Sequence, residues 1–248
     1  NIQLNGNPGG GTWSGDPLVS SSGLFTPSQS GTFNLIYSFG TGTCLRKDTM
    51  IMTVYDLPIV TLSPSSAICL GDSTVLDADG AGAYSWTPND AVSATTGETI
   101  TVNPIITTTY NVVGTDTTTG CESNQNTTIT VNPLPNVSAG TDQTVCNQPI
   151  PVNLTGTPAN GNWSGPNITS DGIFTPAETG TFTVTHSYTD LNNCTNSNNA
   201  IITVIDPTDA DAETDKAVCL NSDNIQLNGN PGGGTWSGDP LVSSSGLF

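Results

Sequence analysis

The sequence predicts an all-β chain of tandem antiparallel β-sandwich modules arranged as an elongated rod. Three observations predict it. Threonine, a β-branched residue that favours strands over helices, occurs 40 times. Gly (27) and Pro (17) cut the 248 residues into short alternating runs, and turn signals every 8–12 residues or so are the mark of a sandwich. Finally, residues 1–25 recur identically as 224–248, an offset of 223.

Composition excludes several classes of partner. Only Arg46, Lys47 and Lys216 are basic against 21 acidic residues, for a net charge of −18. Nothing here could neutralise a phosphate ladder, so no nucleic acid is expected, and an anionic membrane surface is disfavoured equally. No apolar run approaches the ~18 residues of a membrane span. Residues 57–206 contain no Lys, so no Lys–Asn isopeptide bond can harden that stretch.

The 25-residue identity is expected to mark a window on a longer periodic polypeptide. A finer repeat lies inside the period. Trp13-Ser-Gly and Trp163-Ser-Gly precede Phe25-Thr-Pro and Phe174-Thr-Pro, then Gly31-Thr-Phe33 and Gly180-Thr-Phe182. The middle stretch keeps the frame with Trp86, Pro104 and Tyr110. An aromatic follows six positions after Pro27, Pro104 and Pro176, and each unit closes on a strand-like run at Met52–Asp56, Ile129–Asn132 or Ile202–Asp206. The expected modules are 1–56 (the C-terminal part of one), 57–132, 133–206 and 207–248 (an N-terminal part that continues as residues 1–56 of the next copy). Within 57–132 the alternation predicts strands at 59–62, 74–78, 83–86, 99–102, 109–113 and 127–131. Pro133, Pro135 and Pro207 stiffen the junctions.

The six cysteines keep the same frame. Cys69 and Cys121 are 52 apart, Cys146 and Cys194 are 48 apart, and Cys219 shifted back one period lies 48 before Cys44. Each first cysteine precedes its Trp by 17: Cys69 and Trp86, Cys146 and Trp163, Cys219 and Trp236. One disulfide per module is the expectation: Cys69–Cys121 and Cys146–Cys194, with Cys44 and Cys219 pairing with cysteines of neighbouring copies. Closing a loop of that size contributes about 4 kcal/mol in the chain-entropy account, and such bonds persist in an oxidising compartment. There is no C-x-x-C pair and only one His, so no metal site is expected.

The frame Ile68-Cys-Leu-Gly-Asp-Ser73, Ser85-Trp-Thr-Pro88, Thr107-Thr-Thr-Tyr110, Gly120-Cys121 and Thr130-Val-Asn-Pro133 resembles the Ig-like/PKD-like modules of giant surface proteins of gliding bacteria, the SprB-type repetitive gliding-motility adhesins. The resemblance covers the whole chain. It implies tandem Ig-like modules in the shaft of a large, type IX-secreted filament, attached at the outer membrane, that serves surface attachment and gliding motility. Implied partners are a surface polysaccharide or abiotic substratum and the gliding and secretion machinery of the envelope. One departure is the second cysteine, 11–12 residues past the strand aromatic, which places it after a hairpin rather than within a core strand. A spacer or carbohydrate-binding Ig-like array of a secreted polysaccharide-degrading enzyme is the alternative; a binding array would show an exposed aromatic at one position per module.

No catalytic constellation, cofactor motif or metal cluster is expected, and the chain is read as a non-enzyme. His186 lies in an alternating strand-like run and reads as a strand histidine. Asp77/Asp79 and Asp209/Asp211 have the spacing of one strand face, and in Asp209-Ala-Asp-Ala212 the alanines would take the inner face of an edge strand. The Gly-rich Asn7-Pro-Gly-Gly-Gly11 lacks the Lys-Ser/Thr of a phosphate loop, and the Trp of each module reads as core. Six N-x-S/T sequons (Asn126, Asn136, Asn153, Asn162, Asn167, Asn193) are ordinary for an Asn/Thr-rich chain. Asp48-Thr-Met, Asp72-Ser-Thr and Asp116-Thr-Thr resemble the O-glycosylation acceptor of the bacteria implied above, making Thr49, Ser73 and Thr117 candidates.

Overall fold

The computed structural model describes residues 1–220 and 222–248. The chain divides into two units, Asn1–Pro133 and Leu134–Phe248, each described by itself.

In the first unit, residues 1–56 supply β1 (Ile2–Gln3), β2 (Thr12–Ser14), β3 (Leu24–Phe25), β4 (Gly31–Phe39) and β5 (Arg46–Val54), with a single 3-10 turn at Gly42–Cys44. The order β2-β4-β5 makes one sheet and β1-β3 a second, short one. Alternation turns Leu35 of β4 and Trp13 of β2 inward, onto Leu4, Val19 and Phe25. The glycine of the Trp-Ser-Gly motif is required: Gly15 has φ +111, and a Cβ there would strike the Asn34 carbonyl oxygen.

Residues 57–132 form a complete sandwich from β6 (Thr61–Leu62), β7 (Ser66–Cys69), β8 (Thr74–Asp79), β9 (Ala83–Thr87), β10 (Thr99–Val102), β11 (Thr108–Thr115) and β12 (Glu122–Asn132). One sheet has the order β10-β8-β6, the other β7-β12-β11-β9. Val60, Leu76, Ala78, Ile100 and Val102 face Tyr84, Trp86, Tyr110, Val112 and Ile129 across one core. Within this module every described pairing is antiparallel except that of β7, which runs parallel to β12.

The sequence expectation missed β7 altogether, because a short edge strand with the burial pattern exposed, exposed, half-buried, half-buried gives no alternation to read. It also began one strand too early, since Ile59 is 82% exposed and the strand starts at Thr61. β12 runs further than expected, because its first residues, Glu122 to Asn126, are polar and only the hydrogen-bonded ladder to β11 extends them.

The second unit repeats the pattern with β13 (Gln143–Cys146), β14 (Val152–Asn153), β15 (Asn162–Ser164), β16 (Ile173–Phe174), β17 (Gly180–Thr189) and β18 (Thr195–Ile205). The sheet order is β13-β18-β17-β15, with β14-β16 opposite and β13 parallel to β18. Leu154, Trp163, Phe174, Val184 and Ile202 form its core. All three cores are built at the same positions, and the chain is a set of tandem Ig-like β-sandwich modules.

Residues after 206 carry isolated bridges, Asp211 with Asn230 and Gln226 with Leu247. The expected edge strand at 209–212 does not form, and Ala210 and Ala212 are exposed. The identical residues 1–25 and 224–248 share part of their pairing. Gln226 opposite Leu247 repeats Gln3 opposite Leu24, so local pairing follows the local sequence. Phe25 is fully buried while Phe248 is 40% exposed. Phe25 packs with the half-buried Phe33 and Val54 of β4 and β5.

Candidate functional site

The chemistry-bearing side chains fall into two sets: the cysteines at the sheet ends and an aromatic stack over the module tryptophan. Strand register fixes the first set. β7 runs parallel to β12 with Cys69 opposite Asn132, the last residue of β12. Cys121 lies at the other end, in the β11–β12 turn, where Asp116 N donates to its carbonyl oxygen at 2.9 Å. β12 has 11 residues, so about 36 Å of strand separates the two cysteines at ~3.3 Å per residue. A disulfide needs Cα atoms within about 7 Å.

The next module repeats this arrangement. Cys146 is opposite Ile205, the last residue of β18, while Cys194 is buried in the β17–β18 turn, its N donating to Asp190 Oδ1 at 2.9 Å. The expected Cys69–Cys121 and Cys146–Cys194 bonds are therefore not formed. Cys121 and Cys146 are thiols, as are Cys44 and Cys219, whereas Cys69 and Cys194 are disulfide-bonded. The second cysteine of each module lies outside a core strand, as its spacing from the strand aromatic indicated, but in the turn of the β11–β12 or β17–β18 hairpin and not after it.

The second set is centred on Trp13, Trp86 and Trp163, all core residues. Trp13 pairs across the sheet with Tyr37, Trp163 with His186 and Trp86 with Val112. Tyr37 stacks on Trp13 at 5.1 Å between ring centroids. Its hydroxyl donates to the Pro8 carbonyl at 2.5 Å and accepts from Gly11 N at 2.7 Å.

His186 takes the same place, 4.8 Å from Trp163, beneath Gly156 and Gly161, where any Cβ would run into its ring. It is 1% exposed, and its Nδ1 is buried without a hydrogen-bond partner. Burial pushes the imidazole below its ordinary range, with the Ser138 backbone opposing. His186 is thus a buried core residue, and its place beside the tryptophan could have been found by aligning it with Tyr37 in the repeat frame.

The remaining candidates lie apart. Asp77 Oδ1 accepts from Thr99 Oγ1 at 2.8 Å and Asp79 Oδ1 from Gly80 N at 2.7 Å, both on the exposed face of β8. Asp116 Oδ1 caps its turn by accepting from Thr118 N and Thr119 N, which hold its carboxyl below the usual range. Thr49 lies on β5, Ser73 in the β7–β8 turn and Thr117 in the β11–β12 turn, all three exposed. Among the described residues no group of three or more His, Cys, Asp or Glu is placed to hold a metal ion, and no helix is long and apolar enough to cross a membrane. The exposed large aromatics are Phe39, Tyr55 and Phe248; the place of Tyr55 is taken by Asn132 and Ile205 in the other modules, so it does not form a repeated aromatic row.

The modules define the class: a tandem Ig-like repeat chain. Among solved structures the chain is similar to a titin I-band fragment, I67–I69, at 12% identity over 81% of this chain and 89% of that one, with a TM-score of 0.34. It is also similar to Drosophila N-cadherin EC1-4 (10% identity, 83% and 72% covered, TM-score 0.31) and to Sidekick-1 immunoglobulin domains 1–5 (14%, 79% and 52%, 0.29). No protein-family model matches the chain, and no curated protein does. Scores this low leave the fold resting on the chain's own strand registers.

Proposed function

We propose that this chain is a repetitive shaft segment of a large extracellular adhesin filament that serves surface attachment and gliding motility. The observation that carries the reading is the repetition itself: the same core positions and strand registers recur in each module, and 25 residues return unchanged one period on. A chain of separate cores joined by Pro-containing junctions is suited to bearing load and spanning distance. The disulfide-bonded state of Cys69 and of Cys194 suits an oxidising, extracellular setting, and a net charge of −18 favours a soluble, self-repelling chain. The filament is held at the outer membrane by the secretion and gliding machinery and meets a surface polysaccharide or an abiotic substratum; Thr49, Ser73 and Thr117 are its glycosylation positions.

Beads coated with antibody to this chain test the reading on living cells of the organism that makes it. Beads should bind along the cell surface and be carried over it. Beads that bind and stay still would remove gliding, and cells that bind none would remove the surface filament.

A further inference from the structure

We propose that the free edge of β5 is an acceptor for residues 216–219 of a second copy of this chain, which add to it as a parallel strand. The acceptor edge is seen by comparing the modules. β12 lies between β7 and β11, and β18 lies between β13 and β17. Among the described residues β5, in the same place, has one strand partner, β4. The core beneath shows the matching gap. Ile129 and Ile202 are fully buried, whereas Met52 in their position is half-buried. Ile68 of β7 and Val145 of β13 pack on their cores, and among the described residues packed around Leu35 and Trp13 none comes from such a strand.

The donor follows from the repeat frame. The four residues ending on the first cysteine are Ser66-Ala-Ile-Cys69, Gln143-Thr-Val-Cys146 and Lys216-Ala-Val-Cys219. The first two are the parallel strands β7 and β13, with Ile68 opposite Val131 and Val145 opposite Val204. Residues 216–219 lie in no strand and are exposed. Lys216 is tied to Glu213 by an exposed ion pair at 3.0 Å, a kind of contact that holds a segment weakly. The shared register puts Lys216 opposite Met52, Val218 opposite Val54 and Cys219 opposite Tyr55.

Groups flanking the ladder extend the match. Four residues before the cysteine, Ser65 Oγ accepts from Thr128 N at 3.1 Å and Asp142 Oδ1 accepts from Ile201 N at 2.8 Å. Asp215 holds that position before Cys219, and Ile51, 66% exposed, stands where Thr128 and Ile201 stand. Just past the cysteine, Leu70 N donates to the Asn132 carbonyl at 2.9 Å and Asn147 N to the Ile205 carbonyl at 2.7 Å. Leu220 N and the Tyr55 carbonyl are the equivalent pair. Charge agrees with the direction: parallel addition turns Glu213 and Asp215 toward Arg46 and Lys47, which open β5. The ladder supplies affinity, and Val218 entering the gap beside Met52 supplies specificity. Donor and acceptor are different surfaces on different molecules, so the association is head-to-tail and open-ended. It goes beyond the adhesin reading and holds whatever the array grips.

Sedimentation of the full 248-residue chain over about a hundredfold concentration range around ~50 μM tests this. The wild-type chain should associate as concentration rises, with amide exchange slowing at Ile51, Thr53 and Tyr55. Val218→Pro removes a donor N–H in a segment outside the strands, and Ile51→Pro blocks the acceptor edge at an N–H whose equivalents point away from the hairpin. Each variant alone should stay a monomer. Mixed in equal amounts they should form a one-to-one dimer, because the first keeps its acceptor and the second its donor. A monomeric wild-type chain, a Val218→Pro chain that associates like wild type, or a mixture that stays monomeric would each overturn the proposal. Association that survives denaturant without reductant would be a thiol cross-link between copies and would overturn it equally.

Discussion

His186 lies 4.8 Å from Trp163 with the rings tilted by 47°, in the place where Tyr37 lies 5.1 Å from Trp13 at 48°. The two stacks differ in one respect. The Tyr37 hydroxyl reaches Pro8 and Gly11, whereas His186 Nδ1 finds no partner.

That difference makes residues 133–206 sensitive to acid. The fold holds the imidazole neutral and its pKa below the ordinary value of about 6.5. Protons therefore bind the unfolded chain more readily than the folded one, so stability is full above about pH 6.5 and falls as pH drops below it. Melting curves of the chain between about pH 7.5 and pH 5.5 should show one transition moving down. A transition indifferent to pH over that window would mean that His186 is solvated in the folded state.

His186→Tyr should remove the pH dependence and stabilise the module by about 1–2 kcal/mol. The new hydroxyl would meet the Pro158 carbonyl and Gly161 N, which stand where Pro8 and Gly11 stand around Tyr37. A destabilised variant would show that the loop over His186 cannot adopt the Tyr37 geometry.

Tyr110 is the converse case. It is fully buried with no partner for its hydroxyl, and burial raises its pKa. Phe33 and Phe182 occupy its position in the other modules, their ring centroids 6.0 Å from Phe25 and 5.9 Å from Phe174. Tyr110→Phe should raise the denaturant midpoint of residues 57–132 by the equivalent of about 1 kcal/mol, since it removes an unpaired buried hydroxyl. A lowered midpoint would reveal a bound water.

Trp86→Ala should cost about 3–5 kcal/mol. The side chain is 1% exposed and its Nε1 donates to the Gly97 carbonyl at 2.8 Å. Because the core around Trp86 shares no residue with the core around Trp163, the His186-dependent transition should persist in this variant. Its loss would mean that the two cores fold as one.

Much of this protein was legible before folding was considered. The 223-residue period, the strands that alternate apolar and polar residues, the inward tryptophans and the aromatic six positions after Pro27, Pro104 and Pro176 depend on local patterning, and Gln226 pairs with Leu247 as Gln3 pairs with Leu24. The burial of His186 was hidden, because its neighbours alternate like any strand and only the glycines above it close the site.

The cysteine partners could not be read from spacing at all. Separations of 48 and 52 describe distance along the chain, while a disulfide depends on direction in space. That direction was decided by β7 and β13, short strands with little pattern of their own, which lie parallel to the last strand of their modules. Parallel pairing carries the first cysteine to the end where the chain leaves the module. The hairpin before that last strand holds the second cysteine at the end where the chain enters, so two residues that count as a pair in the sequence are kept a full strand apart by the fold.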